Sequence, residues 1–118
     1  MLEIHTENLG TTAILCLQGR IVTGETELLR SVVHSQSNTS AVILDFARVT
    51  AVDAHGLGVM LDLRAQALTK GTQFALINVN QPLKRVFEIT RLDSVFQITS
   101  EVGFLAAVLH DSRAPMAA

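Results

Sequence analysis

The side chains with usable chemistry are four histidines, one cysteine and a short run from Asp53 to Gly58. The histidines, His5, His34, His55 and His110, are far apart, and none falls in an H-x-x-x-H or Cys/His spacing. Zinc and related metals need several ligands converging on one point, so no metal site is expected. Cys16 lies between Leu15 and Leu17 and reads as an inert core residue of a strand. With no second cysteine, the disulfide framework of a small secreted domain is excluded. Gly56-Leu57-Gly58 superficially resembles a dinucleotide loop, but Leu61 stands where the third glycine would let helix and strand approach. No cofactor is expected. Asp53 and His55 could supply a carboxylate and an imidazole, but helix neighbours two apart do not face each other. There is no Gly-x-Ser-x-Gly elbow either. The chain is not read as an enzyme.

What remains is the junction from Thr50 to Gly58, which joins a buried strand to a helix whose cap would be Asp53. A helix N-terminus offers unpaired N–H groups and about half a positive charge, so it can receive an anion or a partner's carboxylate. Every helix has such an end. An interaction site and an ordinary capped start both remain open here. Thr23 and Thr50 are read as turn residues.

These residues must be positioned by a scaffold with two alternating periods. Leu2 to Thr6 alternates with period two, Leu9-Gly10-Thr11 marks a hairpin turn, and Ala13 to Leu17 is a second strand. Leu28, Leu29, Val32 and Val33 form the apolar stripe of a helix starting near Gly24. Gln36 to Ser40 is a loop. Ala41 to Leu44 runs apolar without alternation, as a strand covered on both faces does. The next helix carries Leu57, Met60, Leu61 and Leu68 inward and stops at Lys70-Gly71. Phe74 to Ile77 completes a βαβ unit with parallel strands. Asn80-Gln81-Pro82 opens a third helix with Leu83, Val86 and Phe87 facing the core. Val95 to Ile98 is a short strand, Ser100 caps a fourth helix, and residues 111–118 read as a disordered tail. The fold class is α/β: one domain over residues 1–110, with a mixed four- to five-stranded sheet and about four helices.

At 118 residues, 48% of them hydrophobic, the chain can bury about two-thirds of its surface without staples. Nine basic against eleven acidic residues give a net charge of −2, the wrong balance for nucleic acid. Aromatics are only 4%, too few for stacking platforms. No apolar run reaches the roughly 20 residues of a membrane span, and the N-terminus lacks a basic leader. A cytoplasmic domain is expected.

The stretch Val42 to Phe46, Val49 to Asp53 and Gly56 to Leu61 resembles the signature of STAS domains, the anti-sigma factor antagonist family. That signature is a strand, then Asp-Ser-Ser-Gly-Leu-Gly, then a helix. Leu17 to Ile21 resembles the family's second-strand end, Asn80 to Leu83 the start of its third helix, and Phe87 to Leu92 that helix's end. The resemblance implies a protein-binding module of a partner-switching system, whose partner is an anti-sigma factor or related serine kinase or phosphatase. It implies docking through Thr23, Gly24, Asp53, Ala54, His55, Gly56 and Leu57, and it is compatible with a homodimer. In the family's best-known branch, the resemblance implies, the partner is itself a serine kinase that phosphorylates the first serine after the aspartate. Ala54 stands at that position here and has no hydroxyl; His55 replaces the second serine, and Val22 an aspartate common after the second strand. The phospho-switch is therefore expected to be absent at residue 54, with Thr23, Thr50 and His55 as the nearby groups that could stand in for it. The alternative implied is a STAS subunit sensing a nucleotide or small ligand within a larger assembly of stressosome or lipid-transport type.

Overall fold

The computed structural model describes residues 1–100. The fourth helix expected from Ser100, the domain end at residue 110 and the tail at 111–118 lie outside the described residues, as does His110. Strands β1 (Glu3–Leu9) and β2 (Thr12–Ile21) form the expected antiparallel hairpin, with Leu9 opposite Thr12. Helix α1 (Glu27–His34) then leads to β3 (Ala41–Val52), α2 (Ala54–Thr69) to β4 (Gln73–Ile77), and α3 (Gln81–Ile89) to β5 (Gln97–Thr99). The sheet order is β1-β2-β3-β4-β5, parallel from β2 onward. Each helix is thus the crossover of a βαβ unit, and three crossovers of one hand and one direction set all three helices on one face.

That face holds the main core. Leu15 and Leu17 of β2, Leu44 and Phe46 of β3, and Phe74 and Leu76 of β4 pack against Leu29, Met60, Leu63, Leu83 and Phe87 of the helices. Phe87 meets Phe46 and Phe96 edge to face, with ring centroids 6.4 and 5.7 Å apart. Such pairs add roughly 0.5–1.5 kcal/mol beyond their buried area. The alternate residues Ala41, Ile43, Ala75 and Ile77 form a second buried cluster on the opposite face. This is why residues 41–44 show no alternation.

Helix α3 starts where Asn80 and Pro82 place it. The Asn80 side-chain oxygen accepts from Leu83 N at 3.0 Å, while its amide donates to the Val49 carbonyl at 3.2 Å. Cap and tether share one side chain. Asn80→Ala is expected to lower stability by about 1–2 kcal/mol, read from a urea midpoint that moves with no change in slope.

Several expectations need correction. Leu28 and Leu68 are 46% and 50% exposed, not inward. Each lies about 100° around its helix from the centre of the buried stripe, which Leu29, Val32 and Val33 fill in α1 and Met60, Leu63 and Ala67 in α2. Helix α1 begins at Glu27 rather than near Gly24. Strand β3 runs on to Val52, so Thr50 belongs to a strand and donates its hydroxyl to the Gly19 carbonyl at 3.3 Å. The strand expected at Val95 begins at Gln97, after a 3-10 turn over Leu92–Ser94. Cys16 is half-buried, on the face opposite Leu15 and Leu17, because β2 alternates along its length.

Candidate functional site

Asp53 follows β3 and caps α2. One carboxylate oxygen accepts from Gly56 N at 2.8 Å. The other accepts from the Thr23 backbone N–H at 2.9 Å and from its hydroxyl at 3.0 Å. A single carboxylate therefore joins the β2–α1 loop to the first turn of α2. Each bond is made to the ionised form, and the Thr23 N–H, then the Gly56 N–H, hold the Asp53 carboxyl below its ordinary value of 3.8. A depressed carboxylate contributes stability that is complete above the ordinary value and is lost as pH falls through the lower folded one. Thermal unfolding followed below pH 4 should thus show a steeper acid loss for the native chain than for Asp53→Asn. An Asn at this position still caps the helix but does not titrate.

Around this clamp, Thr23, Gly24, Ala54 and His55 are exposed and adjacent. Gly24 has φ +87°, the left-handed region, where a side chain would be strained. His55 Nε2 lies 3.3 Å from the hydroxyl of Thr26, the one buried polar residue among those described. This contact directs the imidazole toward α1. Two of the expected docking residues do not belong to the surface. Gly56 and Leu57 are buried: Leu57 joins the core, and Gly56 faces the end of β2. The outward face is Thr23, Gly24, Ala54 and His55, with the Asp53 oxygens committed to holding it in shape.

Sequence reasoning missed the second support of this face. Three polar contacts run along the α1–α2 seam: Thr26 to His55, Arg30 to Asp62 at 3.3 Å, and His34 to Gln66 at 2.6 Å. The α1 members recur every four residues, the spacing of one helix face, which was the signal available. Their α2 partners could not be assigned without the packing.

The profile of the STAS domain matches residues 3–105. A proposed anti-sigma factor antagonist from Thermotoga neapolitana, described as a TM1081 homolog, is 32% identical over 62 residues, 52% of this chain and 55% of that one. The match thus spans about half the length of that relative. Among solved structures, an anti-sigma factor antagonist from Mycobacterium paratuberculosis superimposes with TM-score 0.78 at 19% identity, covering 92% of this chain and 94% of that one. The anti-sigma factor antagonist SpoIIAA in its unphosphorylated form gives 0.75 at 19% identity, covering 92% and 97%. A phosphorylated form of SpoIIAA has the same fold. The five-stranded mixed sheet with its helices on one face is the architecture these proteins share. With the profile spanning nearly its whole length, this chain belongs to the STAS domain family.

Proposed function

We propose that this chain is a protein-interaction module of the anti-sigma factor antagonist type, without an enzymatic activity of its own. It docks an anti-sigma factor or a related serine kinase through the face formed by Thr23, Gly24, Ala54 and His55. The observation that carries this reading is the Asp53 clamp. Its carboxylate fixes two separate segments into one exposed surface. A surface held in a single shape before binding loses less entropy when a partner arrives.

SpoIIAA exists in phosphorylated and unphosphorylated forms. A phosphoryl group brings close to two negative charges, which a helix start tolerates and a partner surface opposing it does not. Ala54 is exposed at that start and has no hydroxyl to carry the group. Docking here is accordingly constitutive, or governed from the partner's side.

Intact-mass spectrometry after incubation with a cognate serine kinase and ATP tests this. The native chain should gain no phosphate on residues 53–58, while Ala54→Ser should gain one. Phosphate within residues 53–58 of the native chain would overturn the proposal.

A further inference from the structure

On the sheet face away from the helices, the register aligns His5, Cys16 and Asp45 in one row across β1, β2 and β3. Just beyond that row the ladder breaks. Cys16 pairs with Asp45 but Gln18 pairs with Arg48, so β3 advances three residues where β2 advances two. Strand β4 also leaves β3 here, its last pair being Ile77 with Asp45, and Asn78 turns away at φ +59°. Bulges and left-handed non-glycine residues concentrate at functional sites. Together they open a cavity of about 430 Å³ lined by His5, Cys16, Gln18, Asp45, Arg48 and Asn78. That volume lies in the range of small-molecule sites, roughly 300–1,000 Å³.

The charges in it are opposite and separate. One oxygen of Asp45 is held by Ala47 N at 2.9 Å and Asn78 Nδ2 at 3.2 Å. Among the described residues, the other accepts only from the Cys16 thiol, 3.9 Å away. Arg48 is exposed and makes no ion pair among the described residues. Among the described residues, a carboxylate with an accepting oxygen to spare and a guanidinium outside any ion pair thus line one cavity, with the amides of Gln18 and Asn78 beside them.

We propose that this cavity binds a small zwitterion of the α-amino acid class. Its carboxylate sits on the Arg48 guanidinium, a geometry suited to paired N–H···O bonds. Its ammonium sits on the second oxygen of Asp45. The site is on the opposite face of the sheet from the docking surface and is independent of it.

The test is titration of the full chain with each common L-amino acid, followed by amide chemical shifts and thermal unfolding. For any that binds, the corresponding amine without its carboxylate and acid without its amine are titrated as well. At least one amino acid should shift the amides of residues 16–18, 45–48 and 78 and raise Tm. Its amine and acid analogues should bind at least about tenfold more weakly, since each leaves one charge unmatched. Arg48→Gln, at an exposed position, should keep the unliganded Tm and weaken binding by at least about tenfold. Three results would overturn the proposal: no amino acid perturbs these amides, Arg48→Gln binds with unchanged affinity, or the acid alone binds as well as the zwitterion.

Discussion

Gly56→Ala should lower Tm by roughly 10 °C or more, about 3 kcal/mol, although alanine is the better helix former. Glycine in a helix interior ordinarily loses up to about 1 kcal/mol relative to alanine, so the intrinsic effect has the opposite sign. Contact decides it. A Cβ at residue 56 would fall only 2.8 Å from the Ile21 carbonyl carbon and closer still to its oxygen. That oxygen also accepts from Asp53 N at 3.3 Å, so backbone at the end of β2 is already fixed there. Helix α2 would have to lift, and lifting it stretches the Gly56-to-Asp53 cap and with it the Thr23 clamp. Gly58 is the internal comparison, since a Cβ there meets nothing within 4 Å. Gly58→Ala should be neutral or stabilising by up to about 1 kcal/mol. Differential scanning calorimetry of the two variants separates packing from propensity; equal and opposite-to-expected shifts would show that α2 does not sit this close to β2.

The same pair of glycines illustrates what sequence could and could not convey. Gly56-Leu57-Gly58 was legible as a helix start, and Asp53 as its cap, because both depend on neighbours in the chain. The order of strands and helices was legible for the same reason: periods of two and 3.6 are local. Leu28 and Leu68 fit the apolar pattern yet stay exposed, because a helix buries only a narrow stripe whose edges are set by what packs against it. The extension of β3 to Val52 was hidden by its bulge, which puts Ala47 and Arg48 on the surface in succession and interrupts the alternation. The apolar neighbours of Cys16 suggest a core position, whereas the alternation of β2 puts it on the half-buried face. Nothing local announced that Thr23 would bond Asp53, or that Thr26, Arg30 and His34 would meet His55, Asp62 and Gln66. Those contacts span about thirty residues and exist only after the crossovers have formed.

Ala54→Glu should abolish docking while leaving the domain folded. Ala54 is the first residue of α2 and is exposed, and a carboxylate in a helix's first turn is favoured by the positive end of its dipole. Stability should hold or rise slightly. At an interface the same charge is desolvated and has no partner evolved to receive it, a juxtaposition costing several kcal/mol. Affinity for an anti-sigma factor partner should fall at least about a hundredfold, equivalent to about 2.7 kcal/mol. Gln73→Glu is the control: it adds the same charge at an exposed residue opening β4, where Gln73 pairs with Ala41, the far end of β3 from Asp53. The decisive measurement is calorimetric titration of the native chain, Ala54→Glu and Gln73→Glu into that partner, with Tm recorded for each. Loss of binding confined to Ala54→Glu, at unchanged Tm, is the result predicted. Equal affinity for all three would contradict the assignment of the α2 start as the docking face.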